Sequence, residues 1–346
     1  MKKMKATGKA LKPKKNMTGS GFLLIITIAL FVVMYVAGMI VFGDKGFAKP
    51  QMFFNLFVSN AGLIVIAMGE TIIMITAGID ISVGSVTALV CMVIANQMEN
   101  HGASAYTAVA ISLAIGLAYG LIQGILVSYF EIQPFIVTLA GMFFGRGMTA
   151  VVSTDMISIT NETFLSWAQF QIPLPIGSTN RHGAFIPAYI YPTVIIAVVI
   201  VILVAVLMKF TKFGRSVYAI GGNAQSALMM GLNVKRTKLK AYVLGGLLSG
   251  FGGFLFCLNS CAGFVEQAKG LEMDAISAAV IGGTLLSGGV GTPIGTLFGV
   301  LIKGTITSLI TTQGTLSSWW VRIVLSALLC FFIVLQSILG KVKEKK

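Results

Sequence analysis

Apolar runs recur along this chain at a length that decides its fold, because about twenty such residues cross a bilayer as a helix. The clearest runs from Phe22 to Phe42. Others read as Leu56 to Ala77, Val83 to Ala95, Ala105 to Ser128, Phe135 to Val152, Ala188 to Met208, Ala241 to Leu258, Ala275 to Ser287, Ile294 to Thr311 and Trp319 to Ile338. They predict about ten crossings, those starting at Val83 and Ala275 being short. With 56% hydrophobic and 10% charged residues, the chain is too apolar for a soluble domain. The expected fold is an all-α polytopic membrane protein. It divides into a basic tail over 1–21, one transmembrane domain over 22–340, and a second basic tail over 341–346.

The net charge of +14 is concentrated in three places. Lys2, Lys3, Lys5, Lys9, Lys12, Lys14 and Lys15 precede the first run, which is too long for a signal-peptide core and lacks a small-residue cleavage site. Lys341, Lys343, Lys345 and Lys346 end the chain. Between them lie Lys209, Lys212, Arg215, Lys235, Arg236, Lys238 and Lys240, with no acidic residue in that central loop. An even number of crossings puts all three clusters on one side, the cytoplasmic side by the positive-inside tendency. Such charge marks contact with anionic lipid and not a nucleic-acid surface.

The central loop, 209–240, holds a short element of its own. Asn223 is placed to cap a helix, Gly231 to close it, and Ala224 to Met230 are good helix formers. Ala227, Leu228 and Met230 give it an apolar side that can face a cytoplasmic partner; a solvated connection is the other reading. On the opposite side the longest segment, Ser153 to Pro187, carries Pro173, Pro175 and Pro187. Within it Asn161 can cap an interfacial helix whose Phe164, Leu165 and Trp167 enter the headgroup region, as a belt anchor or a docking surface.

Inside the membrane the strongest polar signal is Ile75-Thr-Ala-Gly-Ile-Asp-Ile-Ser-Val-Gly-Ser85. Gly78, Asp80, Ser82, Gly84 and Ser85 require a turn or a broken helix, tolerated at depth only where protein or a cavity surrounds it. Asp80 or Ser82 can cap the second half. A related pattern around Gly289 and Gly295 lies at one constant offset from Gly78 and Gly84, which suggests an internal repeat. Glu70, Arg146 and Lys303 fall deep in apolar runs and need partners, and Asp274 and Arg322 lie nearer helix ends. Glu70 and Lys303 count to similar depth, so a buried ion pair between them is expected. The 40 glycines cluster in the runs, with Gly245, Gly246, Gly250, Gly252 and Gly253 on one helix, which favours close helix packing. Cys91, Cys257, Cys261 and Cys330 read as small core residues. No phosphate-binding glycine-lysine loop and no His-Glu-x-x-His motif occurs, so neither a nucleotide-hydrolysis nor a metalloprotease site is visible.

Six stretches resemble one family: Ala77-Gly-Ile-Asp-Ile-Ser-Val-Gly-Ser85, Thr138-Leu-Ala-Gly-Met-Phe-Phe144 with Arg146-Gly147, Tyr218-Ala-Ile-Gly-Gly-Asn223, Asp274-Ala-Ile276, Ile281 to Thr292, and Gly314-Thr-Leu-Ser-Ser-Trp-Trp320. The chain is similar to the permease subunits of ABC-type sugar importers of the ribose, xylose and galactose branch, in particular those of the galactofuranose importer. The resemblance implies that Gly222 to Gly231 couples to a cytoplasmic ATPase, which would use the ATP while this chain binds no cofactor. It also implies an extracytoplasmic sugar-binding protein, a second and different permease chain, and a bacterial inner-membrane location. Glu70 and Lys303 depart from the uncharged residues expected there. Two other readings accommodate broken helices and buried charges: an ion-coupled secondary transporter, and a membrane-embedded transferase using carboxylates as acid and base.

Overall fold

The computed structural model describes residues 19–179, 185–317 and 319–344. The N-terminal lysine cluster, His182, Lys345 and Lys346 lie outside them. Among the described residues thirteen α-helices run in chain order: α1 Gly19–Val41, α2 Pro50–Ile75, α3 Val83–His101, α4 Thr107–Ser128, α5 Pro134–Val152, α6 Glu162–Gln169, α7 Pro192–Phe210, α8 Lys212–Gly222, α9 Ala224–Met229, α10 Val234–Ser260, α11 Leu271–Ile281, α12 Pro293–Gln313 and α13 Trp319–Glu344. Among the described residues eight are long and apolar enough to cross a membrane: α1, α2, α4, α5, α7, α10, α12 and α13.

The other two expected crossings are α3 and α11, and their composition explains the difference. The last turns of α3 carry Asn96, Gln97, Glu99 and Asn100, and α11 has only 11 residues with Glu272 and Asp274 in its first turn. Both are packed inside the bundle, so neither has to satisfy lipid. The stretch entering α11 runs down α3: Gly263 lies against the Met92 backbone, and Gly84 against the Ala268 carbonyl.

Helix α2 is buried on every side from Asn60 to Ile75, the mark of a central helix. Helix α10 joins it to α4 through paired glycines. A Cβ on Gly62 would stand 2.8 Å from the Gly252 carbonyl, and one on Gly69 2.9 Å from that of Gly245. On the other flank Gly246 and Gly250 meet Gly116 and Gly120 of α4 backbone to backbone. Dispersion between closely approached backbones thus replaces the hydrophobic drive that lipid does not supply.

The two terminal helices meet the same end of α11. Thr27 of α1 donates to the Ile281 carbonyl (2.7 Å), and Gln336 of α13 to that of Val280 (3.0 Å). Helices α8 and α9 lie at this end too, here called the basic end.

Among the described residues two small antiparallel ladders stand at the opposite end, where the sequence suggested a proline-rich segment with one interfacial helix and no strands. β1 Ile157–Ser158 pairs with β4 Ala262–Gly263, and β2 Ile172–Thr179 pairs with β3 Phe185–Ile190. Gln51 at the start of α2 ties down the second ladder through both Tyr189 backbone groups (3.2 and 2.8 Å). Asn161 does cap α6 (3.1 Å to Phe164 N), but Phe164 is fully buried against Phe254 and is no headgroup anchor. Trp167 packs edge-on against Tyr106. Cys91 and Cys257 are core residues, whereas Cys330 faces outward.

Candidate functional site

The chain between α2 and α3 is held by side chains from α4 and α10 and by Glu70 of α2 itself. Ala77 takes a left-handed φ of +61° as α2 ends. The Asp80 carboxylate accepts from the Ser82 backbone (2.8 Å) and hydroxyl (2.6 Å), bracing the first turn of α3 without capping it directly. Ser85 donates to the Ser82 carbonyl, and Gln123 of α4 donates to the Ser82 hydroxyl (2.8 Å). Tyr242 of α10 donates to the Ile79 carbonyl (3.3 Å). Glu70 Oε1 accepts the Asp80 N–H (3.2 Å), while its Oε2 has no partner. Glu70, Asp80, Ser82, Gly84 and Ser85 are all buried, and Gly84 packs on Glu272 and Ala268. Gly78 is half-buried, under the Tyr242 hydroxyl.

A second break, 282–292, separates α11 from α12. Gly283, Gly288 and Gly289 have φ of +90°, +84° and +74°, values that strain any other residue. Thr292 caps α12 by accepting from Gly295 N (2.9 Å), so a hydroxyl does here what no side chain does at α3. Gly295 packs on Gly282, and Thr296 beside it shares a hydrogen bond with Thr71 of α2 (2.7 Å). The two breaks touch at the basic end: Gly289 N donates to the Ile75 carbonyl (2.9 Å).

Both breaks are in contact with α8, a helix the basic residues hid in the sequence. Its cap is Thr211, which accepts from Gly214 N (3.1 Å), and it buries Val217, Ile220 and Gly221. Tyr218 donates to the Gly291 carbonyl (2.8 Å). A Cβ on Gly221 would strike the Ile75 carbonyl and stand 2.5 Å from Gly289 N. Gly222, exposed and with room for a side chain although its backbone lies against Gly289, leads into α9, where Asn223 accepts from Ser226 N (2.8 Å) as expected of a cap. Gly231 (φ +80°) closes the turn. Leu228, Met229 and Met230 are 61%, 82% and 70% exposed, but Ala227 faces inward at 0%, so the apolar projection is Leu228-Met-Met. Beside it a groove of about 790 Å³ includes Glu131, Gln133, Leu228 and Lys235. Lys235, bonded to Glu131 at 3.0 Å, holds that carboxyl below the usual carboxylate range.

The expected Glu70–Lys303 pair does not form. Lys303 pairs with Asp274 of α11 at 3.2 Å. Glu70 lies in the last two turns of α2, near the basic end, while Lys303 stands midway along α12. Counting from the start of the apolar run misjudged depth, because α2 begins earlier, at Pro50. Arg146 bonds the Val265 and Gln267 carbonyls (2.9 and 2.5 Å), fixing the stretch that enters α11. Sequence reasoning missed Gln123, Tyr242 and Glu272, since nothing local marks a polar side chain that braces a distant break. Tyr218 stood in a stretch singled out only by resemblance.

The family described as branched-chain amino acid transport system / permease component matches residues 52–333. Inner membrane ABC transporter permease protein YjfF of Escherichia coli (strain K12) is 39% identical over 313 residues, 90% of this chain and 91% of that protein. Fructose import permease protein FruG of Bifidobacterium longum is 31% identical, covering 96% of this chain and 95% of its own length. Ribose import permease protein RbsC of Bacillus subtilis is 38% identical over 81% of this chain and 82% of its own. No solved structure matches.

Proposed function

Since this chain belongs to the branched-chain amino acid transport system / permease component family, we propose that it is the membrane-spanning permease subunit of an ATP-driven importer for a monosaccharide, galactofuranose- or ribose-like. Its similarity to permeases named for ribose and fructose import supports the sugar class. On this reading it sits in the bacterial inner membrane with both termini and α8–α9 in the cytoplasm and lipid around its outer helices. Its partners are a cytoplasmic ATPase, an extracytoplasmic sugar-binding protein and a second, different permease chain. ATP is used by the ATPase, and this chain holds no cofactor.

One observation carries the mechanism: the end of α8 rests on both breaks at once, through Gly221 against Ile75 and Gly289 and through Tyr218 on Gly291. Gly222, Asn223, Ala227, Leu228, Met230 and Gly231 form the coupling element, with Leu228 and Met230 entering the ATPase. Gly78, Glu70, Asp80, Ser82, Gly84, Ser85, Gly289 and Gly295 belong to the gate or the path. Glu70, Asp80, Ser82 and Ser85 are buried among α2, α3, α4 and α10, and on this reading that burial corresponds to a shut gate. Displacing α9 moves α8, and α8 cannot move without shifting the Ile75–Gly289 contact. Parting the breaks frees peptide groups at helix ends, which offer donors and acceptors to sugar hydroxyls.

The test is reconstitution with the ATPase and binding protein encoded beside it. Sugar uptake that requires ATP supports the proposal; uptake by this chain alone, driven by an ion gradient, replaces it with a secondary transporter.

A further inference from the structure

A polar crevice of about 320 Å³ opens between α11, α12 and α13, away from both breaks and from α8. Its lining includes Lys269, Asp274, Lys303, Thr307, Trp319 and Arg322. Arg322 lies in the first turn of α13, at the end opposite the basic one. The Lys303–Asp274 pair lies deeper, since Lys303 is about 15 Å along α12 from Gln313 at ~1.5 Å per residue. Three cations therefore face one carboxylate. Asp274 answers Lys303 at 3.2 Å, and Glu266 answers Lys269 at 2.7 Å. Among the described residues Arg322 forms no ion pair. Its guanidinium stacks over Trp319 (5.2 Å) and lies 3.6 Å from where a Cβ on Gly270 would stand, so that glycine leaves it room.

Arg322 is exposed at the mouth of the crevice, where a guanidinium at the surface of a membrane protein is open to an anion or to water. Its planar fork fits two oxygens of a phosphate better than any point charge does. The Lys303 ammonium below it is already answered by Asp274. We propose that the mouth of the crevice binds a phosphate group through Arg322. The apolar outer face of α13, with Ile323, Phe331 and Val334 exposed, leaves room for acyl chains beside a bound lipid phosphodiester. A free phosphate or a phosphorylated solute shares the same chemistry. The importer reading assigns this crevice nothing.

The test uses the full chain purified in detergent, with phosphatidylglycerol, phosphatidylcholine or inorganic phosphate added and the melting midpoint measured. Phosphatidylglycerol raises the midpoint by several degrees in the wild type and in a Lys49→Gln control, an exposed lysine at the same end, and native mass spectrometry finds the lipid retained. The rise is lost in Arg322→Gln and kept in part by Arg322→Lys. A rise with phosphatidylglycerol alone assigns the site to lipid, and an equal rise with inorganic phosphate assigns it to a soluble anion. No rise and no retention with either anion overturns the proposal, as does a rise undiminished in Arg322→Gln or equal with phosphatidylcholine.

Discussion

The Tyr218 phenol donates to the Gly291 carbonyl across 2.8 Å, joining α8 to the break between α11 and α12. One turn on, Gly221 fills the space between Ile75 and Gly289, so a single short helix addresses both interruptions of the bundle. Removing the phenol oxygen loses one hydrogen bond, worth about 1 kcal/mol net. Tyr218→Phe is expected to reach the membrane at normal abundance and to slow ATP-driven uptake several-fold. Gly221→Ala, whose methyl group meets backbone on both sides, is expected to abolish uptake. Quantitative immunoblotting against initial uptake rates separates these effects; wild-type rates in Gly221→Ala would show that α8 moves independently of the breaks.

The first break makes its own prediction. Asp80→Asn keeps the shape of the turn but weakens two acceptor contacts to Ser82, and uptake falls while abundance holds. Gly84→Leu drives a side chain into Glu272 and the Ala268 carbonyl, separating α3 from the stretch that enters α11. Both abundance and uptake fall in that variant. Normal transport by both would reduce the segment to a turn between helices.

The ion pair of α11 and α12 is structural. Lys303→Gln leaves Asp274 alone, and membrane abundance drops, by somewhat less than the ~3–5 kcal/mol of a fully buried pair because both groups are partly accessible. Adding Asp274→Asn restores abundance, whereas adding Glu70→Gln gives only the sum of the two single effects. Rescue of Lys303→Gln by Glu70→Gln is the outcome that would revive the rejected pairing.

What the sequence made legible was what depends on neighbours along the chain. Runs such as Phe22 to Phe42 announce spanning helices because lipid sets their length, and Asn223 announces α9 because a cap acts three residues away. Helix α8 escaped notice because Lys212 and Arg215 disguise the buried spacing of Val217 and Ile220. The β2–β3 ladder escaped because Pro173, Pro175 and Pro187 argue against strands, although edge strands accommodate them. The partner of Lys303 was hidden for a different reason. Depth can be counted along one helix, but lateral neighbours are decided by packing, and Asp274 reaches Lys303 only because α11 and α12 lie side by side around a glycine break. The bracing of Ser82 by Gln123 and of Ile79 by Tyr242 is of the same kind.

If α9 passes the work of an ATPase to the breaks, Leu228→Asp combined with Met230→Asp breaks that link. Both side chains are exposed and away from the bundle, so the variant is expected in the membrane at wild-type abundance. Copurification of the ATPase and ATP-dependent sugar uptake into proteoliposomes are measured together on it and on the wild type. The wild type is expected to retain the ATPase and to accumulate sugar only with ATP, and the double variant to do neither. Undiminished ATP-dependent uptake by the double variant would contradict that role of α9.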